Sequence, residues 1–196
     1  MNQSIESMSD AALLGMMVGR RNAAGLLRWS SGSLSRLLCE EPGEGYNPAA
    51  TQRLQLAREL MRRALAETML MRDVLSSPDS VRDYLKVSLA GREHEVFMVL
   101  FLDTRHQVIT FEEMFRGTLD QTSVYPREVV KRSLATNAAA VIFAHNHPSG
   151  VAEPSSADHA LTRRLRDSLA LVDVRVLDHF VVAGNGIISF SERGLL

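Results

Sequence analysis

"AAAVIFAHNHPSG", Ala138 to Gly150, is the stretch on which the fold turns. Its first seven residues are apolar, the pattern of a strand buried on both faces. The run then ends on two histidines, a proline and a glycine. Side chains alternate along a strand, so His145 and His147, two apart, project from one face where the strand leaves the core. Ten residues separate His147 from Asp158, and "GVAEPSS" among them reads as a loop feeding a helix. The first turn of that helix can return over the strand end and bring in Asp158 as a third ligand. Two imidazoles and a carboxylate, with a fourth position left for water, form a common ligand set for a catalytic zinc ion. A plainer reading stands beside this one: a turn with two solvated histidines, followed by Ser155 and Asp158 as the S-x-x-D capping box of a helix.

Working outward, "EVFMVLFLD", Glu95 to Asp103, is a second continuous apolar run bounded by charges, and "VITFEEMF" after it reads as its antiparallel partner. "SPDSVRDYLKVSLA" has a proline and acids in its first turn, as a helix start does. "YPREVVKRSLATN" places proline at the start of a helix and asparagine at its end. "PSSADHALTRRLRDSLALV" is a capped amphipathic helix, and "VRVLDHFVVAGNGIISF" reads as two strands joined by "GNG". Strands alternating with helices predict a mixed α/β (α+β) sheet domain over residues 76–196. Residues 1–75 differ. Apolar residues recur at helical spacing in "SDAALLGMMVGRR", "AAGLLRW", "GSLSRLLCE" and "PAATQRLQLARELMRRALAETMLMRDVL", with a break at Glu40–Pro48, so a small all-α region is expected there.

Composition narrows the class. Of 196 residues, 45% are hydrophobic and 23% charged, which is ordinary for a globular chain and argues against disorder. With 22 basic and 23 acidic side chains, no overall electrostatic pull toward nucleic acid or acidic lipid is expected. The single cysteine, Cys39, cannot form an internal disulfide, which points to a reducing, cytoplasmic location, and Cys39 itself reads as a small buried hydrophobe. The start, "MNQSIESMSD", lacks a basic leader, and Ala11–Gly19 falls well short of the ~18 apolar residues a membrane span requires.

"HNHPSGVAEPSSAD" resembles the signature of the JAMM/MPN-type metalloproteases, His-x-His followed after seven residues by Ser-x-x-Asp, without a gap. With "FRGTLDQTSVYPREVVKRSLATNAAAVIFAHNHPSG", "DHALTRRLRDSLALVDVRVLDHF" and "SFSERGLL", the chain resembles the RadC-like branch of that superfamily over residues 77–196. An HNH endonuclease is a false friend, because its motif spreads those letters over a longer ββα unit. The resemblance implies an MPN-like, cytidine-deaminase-like mixed sheet flanked by helices. It implies one Zn2+ per chain on His145, His147 and Asp158, and hydrolysis of a peptide or isopeptide bond in a protein substrate. It also implies a glutamate heading an earlier apolar strand, which is Glu95 here, with Glu93 as a competitor two residues before it. Zinc lowers the pKa of its water from about 15.7 toward ~7. Glu95 would take that proton and return it to the departing amine. Ser155, by the same resemblance, would donate to the oxygen that gains charge.

The other histidines rank lower. His94 and His106 read as surface residues at strand ends, and His159 as pointing away from the site. His179, in "VLDHFVV", reads as a packing residue or a support to the metal site together with Asp178. Asn146, Pro148 and Gly150 would shape the ligand loop, with Ser149 hydrogen-bonded inside it. Arg127 in "YPRE" shares the resemblance but acquires no derivable role.

RadC-like chains carry an N-terminal helical region with a helix-hairpin-helix-like element that can present backbone N–H groups to a DNA phosphate. "EEPGEGYNPAATQRL" has the Gly-x-Gly and a following helix. However, Glu44 sits where that motif has an apolar residue, and Glu40 and Glu41 precede it. The first 75 residues hold nine basic and eight acidic side chains, so a packing or protein-interaction module is favoured over DNA binding. Two other functions compete with the hydrolase: a metal-free MPN-like scaffold, and a DNA-associated protein such as a repair factor or metal-dependent nuclease. The full set of His145, His147, Asp158, Ser155 and Glu95 argues against the scaffold.

Overall fold

A computed structural model describes residues 4–70, 78–117, 123–184 and 186–196, with the side chains of Cys39 and Pro78 outside the description. The burial of Cys39, the last residues of the "MLMRDVL" helix and the centre of the "GNG" turn therefore lie outside the described residues. The chain divides into two units, Met1–Arg63 and Ala64–Leu196.

In the first unit a short 3-10 turn, Ile5–Ser7, precedes α1 (Asp10–Val18), α2 (Arg20–Trp29) and α3 (Leu34–Cys39). Ser9 and Ser33 cap α1 and α3 by accepting from main-chain N–H groups three residues on, the usual way an orphan donor at a helix start is satisfied. The helical spacing in "SDAALLGMMVGRR" runs through Gly19, yet the helix stops there. Gly19 adopts a φ of 88°, a left-handed conformation that needs glycine, and α2 starts at the next residue. Leu14, Val18, Ala23, Leu26, Leu37, Ala50 and Leu54 bury together as the core of this unit, with Trp29 and Tyr46 against them. The last two of those core residues belong to α4 (Pro48–Leu70).

The second unit is a five-stranded mixed sheet flanked by helices, in spatial order β2-β1-β3-β4-β5. In chain order it comprises α5 (Pro78–Leu89), β1 (Val96–Leu102), β2 (Val108–Arg116), α6 (Pro126–Ala135), β3 (Ala140–Asn146), α7 (Ser156–Ala170), β4 (Arg175–Ala183) and β5 (Gly186–Ser189). Every residue of β1 and β3 is buried, because these two strands form the centre of the sheet with helices over both faces. On one face Phe97, Val99, Phe101, Val141 and Phe143 pack against Val129 of α6 and Leu165 and Leu169 of α7. Alternate residues face α5, where Tyr84 lies 4.8 Å from the Phe111 ring and Arg82 sits over Phe180. β1 pairs antiparallel with β2 and β3, β4 pairs parallel with β3, and β5 returns antiparallel on β4.

Helix ends follow the local chemistry read from the sequence. Pro126 opens α6, and Asn137, beyond its end, takes a left-handed φ of 53°. Among the described residues no helix is long and apolar enough to cross a membrane.

Candidate metal centre

β3, α7 and the parallel β4 form a βαβ unit, and the site lies at the carboxyl end of β3, the usual place for a ligand in such a unit. β3 delivers His145 as its penultimate residue and His147 just past its end. Gly150 then takes a φ of 81° with open space around it, which turns the loop back toward α7. Ser155 caps α7 and forms the full capping box with Asp158: each accepts the other's main-chain N–H. The capping reading and the ligand reading of Asp158 are therefore compatible, since the box places the carboxylate at the helix start, beside the strand end.

His145, His147 and Asp158 converge so that one ligand atom from each lies within 4.8 Å of the others. The two Nε2 atoms are 3.0 Å apart, and the carboxylate oxygens stand 3.2 Å from His145 and 3.3 Å from His147. His147 Nδ1 sits 2.8 Å from the Val151 carbonyl, which can only accept, so Nδ1 carries the proton and directs Nε2 at the site. Electron-rich atoms that close on one point require a positive charge between them. The geometry therefore fits a cation, and the group could hold a metal ion.

Electrostatics show the same demand. Burial opposes the charge on Asp158, but hydrogen bonds with His145 and His147 overcome it and hold the carboxyl far below its ordinary range. His147 is pushed up, chiefly by its bond to Asp158, with the Val151 carbonyl and the Glu95 charge adding to it against desolvation. His179 goes the other way: complete burial holds it well below 6.5, as a neutral ring.

A cavity of about 830 Å³ opens beside the site, with Glu95, His147, Ser155 and Asp158 in its wall together with Tyr125 and Arg164. In the β1–β3 register Phe97 faces His145, so continuing two residues past the ladder sets Glu95 across from His147. Glu93 is exposed and does not line this cavity. The Ser155 hydroxyl donates to Asp158 Oδ2 at 2.6 Å.

Several secondary readings change. Asn146 does not shape the ligand loop. It is buried and faces β1, where Oδ1 accepts from Val96 N–H at 2.8 Å and Nδ2 donates to the His94 carbonyl at 3.0 Å. These bonds hold the peptide groups on either side of Glu95. His94 is not a plain surface residue, since it is half-buried and its Nδ1 has no hydrogen-bond partner among the described residues. His106 is half-buried with its Nε2 beside Arg175, and the His159 ring packs on Phe190. The His179 ring meets His145 and Thr162 rather than Asp178, whose carboxylate accepts only the His179 main-chain N–H and turns otherwise to Ser189 and Ser191. Ser149 accepts from Val151 N–H within the loop at 3.4 Å. The exposed Arg127 lies near Glu128 and touches nothing in the site. Thr162 was not singled out from sequence, although it stands one helical turn from Asp158 on the same face.

The mixed sheet, with a His-x-His at the end of an inner strand and an aspartate at the start of the following helix, defines a JAB/MPN-type domain with a group able to hold a metal ion. The chain belongs to the RadC-like JAB domain family, whose model matches residues 75–195. Curated proteins similar to this chain include several of the UPF0758 designation. A UPF0758 protein of Methylibium petroleiphilum is 54% identical over 202 residues, 97% of this chain and 91% of its own length. One from Leptothrix cholodnii is 52% identical with the same coverage. One from Nitrosomonas eutropha is 58% identical over 170 residues, 84% of this chain and 76% of its own.

Proposed function

We propose that this protein is a zinc-dependent hydrolase of peptide or isopeptide bonds, with His145, His147 and Asp158 as the metal ligands. The observation that carries this reading is the spacing of the ligand atoms. The two imidazole Nε2 atoms stand 3.0 Å apart, Asp158 turns Oδ1 to His145 at 3.2 Å and Oδ2 to His147 at 3.3 Å, and one ligand atom from each residue lies within 4.8 Å of the others, close to the roughly 3.3–3.4 Å edges that zinc–ligand distances of about 2.0–2.1 Å imply for a tetrahedron. Zinc bound there would supply Lewis acidity and an acidified water at neutral pH.

The chain's own groups then divide the remaining work. Glu95, in the cavity wall across from His147, serves as the proton shuttle, taking a proton at its carboxylate and giving it to the leaving amine. Asn146 keeps the peptides around Glu95 fixed, so the base needs no search for its position. Ser155 stands at the cavity edge with a hydroxyl that serves Asp158 in this structure, and rotation about its Cα–Cβ bond frees that proton for a substrate oxygen. The groove between Tyr125 and Arg164 receives the chain on either side of the scissile bond.

The test is metal analysis of the purified protein beside His145→Ala and Asp158→Ala. One zinc per chain, lost in both variants, is the expected result; unchanged stoichiometry would overturn the ligand assignment. Glu95→Gln is expected to keep the metal and lose hydrolysis, and an active Glu95→Gln would move the base elsewhere.

A further inference from the structure

Behind the ligands a second set of side chains closes a ring. Thr162 Oγ1 lies 2.6 Å from the Asp158 carbonyl, which can only accept, so the single hydroxyl proton is committed there. The same Oγ1 lies 2.7 Å from His179 Nδ1, and having no second proton it must accept, so that nitrogen carries the hydrogen. With its one ring hydrogen committed to Nδ1, the wholly buried His179 has a bare Nε2. That Nε2 is 2.8 Å from His145 Nδ1, which must therefore donate. His145 is left with its lone pair on Nε2, the atom 3.2 Å from the Asp158 carboxylate.

We infer that His179 and Thr162 are positioning residues that fix the tautomer of His145, so that its Nε2 is presented bare to the cation. The inference rests on the metal reading above. The ring begins at the main chain of one ligand, Asp158, and ends on the side chain of another, His145. It therefore ties the strand ligand to the helix ligand without using the exposed loop. Such outer partners of a ligating histidine set both its orientation and its basicity, and losing one costs about 10–100-fold in metal affinity. Thr162 matters only as a hydroxyl. With valine there, nothing forces the proton onto His179 Nδ1, and the ring can reverse, leaving His145 protonated on the nitrogen that faces the site.

The experiment is Zn2+ affinity by competition with a chromophoric chelator, together with nitrogen-15 NMR of the imidazoles in the metal-free protein. Wild type is expected to show His179 protonated on Nδ1 and unprotonated on Nε2. Thr162→Val is expected to lose this pattern and bind Zn2+ about 10–100-fold more weakly. Thr162→Ser, which keeps the hydroxyl, should restore both. His179→Phe should weaken Zn2+ at least as much as Thr162→Val. A wild-type His179 protonated on Nε2 overturns the inference whether or not any variant folds. So does a folded Thr162→Val that binds Zn2+ as tightly as wild type. His145→Ala separates the two claims: if it retains full zinc, the ligand assignment fails, whereas loss there with no change in Thr162→Val sinks only the ring.

Discussion

His145 and His147 are the same residue type two positions apart, yet they are held in opposite ways. The His145 side chain is 1% exposed, and its far nitrogen meets another side chain, His179, in the core. The His147 side chain is 16% exposed, and its far nitrogen meets a main-chain carbonyl, Val151, in a loop. A ligand held by side chains can be disabled from a distance by substitution. A ligand held by the main chain cannot, because every residue at position 151 supplies that carbonyl. Only a change in the loop's path reaches His147 indirectly.

The difference can be broken most sharply by truncating each histidine in the metal-free protein. His145→Ala removes a buried ring and strips His179 Nε2 of its donor, so we expect a loss of about 2–4 kcal/mol in urea unfolding. His147→Ala, at the loop, should cost less than about 1 kcal/mol. Both should lose bound zinc. Equal destabilisation by the two would show that the core and loop ligands are supported alike.

Asp178 sharpens the contrast from the other face of β4. It is next to His179 in sequence and accepts that residue's main-chain N–H at 2.7 Å, but alternation turns its carboxylate away from the His179 ring, to accept also from the Ser189 hydroxyl at 2.6 Å and from Ser191 N–H at 2.9 Å. Burial pushes its carboxyl above the usual range, and these donors oppose that shift. Asp178→Asn replaces one accepting oxygen with a donor, so about 1–3 kcal/mol of stability should go. Zn2+ affinity should stay within about threefold of wild type, in contrast to the 10–100-fold expected for an outer partner of a ligand. A larger drop would mean that β4 transmits strain along its length, and that the faces are not separate.

These contrasts also mark what a sequence can reveal. β1 and β3 were legible because strands covered on both faces lose their polar alternation and become continuous apolar runs. The His-x-His pair was legible because a period of two is local, and Asp158 because a capping box leaves a four-residue trace. Thr162 was not legible as a partner of the site, and His179 was legible only as a packing residue or a support paired with Asp178, not with His145 and Thr162. His179 and His145 are 34 residues apart and meet only through the parallel β3–β4 pairing, whose register no local pattern states. Asn146 was misread for a related reason. In strand alternation it points away from its two histidine neighbours, and its partners at Val96 and His94 lie 50 residues or more earlier. The break at Gly19 was missed because apolar spacing continues through it, while the conformation that ends α1 depends on one missing Cβ.

On the loop side, Gly150 is the lever. Its φ of 81° is costly for a β-branched side chain, although the space around it is open. Gly150→Val should therefore cost about 1–2 kcal/mol through backbone conformation alone. It should also weaken Zn2+ by moving the Val151 carbonyl away from His147. Gly150→Asn, which tolerates this conformation better, should recover most of both effects. If valine and asparagine behave alike, the loop's path is set elsewhere and the main-chain support of His147 is not its weak point.

The smallest effect distinguishes the two duties of Ser155. As an N-cap it accepts from Asp158 N–H, and as a donor it gives its proton to Asp158 Oδ2. Replacing a capping serine with alanine costs typically ~1 kcal/mol, whereas glycine costs only a few tenths. If capping is the whole of its structural role, thermal unfolding of the metal-free protein should rank Ser155→Gly close to wild type and Ser155→Ala about 1 kcal/mol below it. If the hydroxyl also restrains the Asp158 carboxylate, glycine loses that bond as fully as alanine does, so Ser155→Gly should fall clearly below wild type, with Ser155→Ala lower still by the capping difference. The second ranking would assign Ser155 to the support of the helix ligand and give Asp158 a partner of its own, as His179 is for His145.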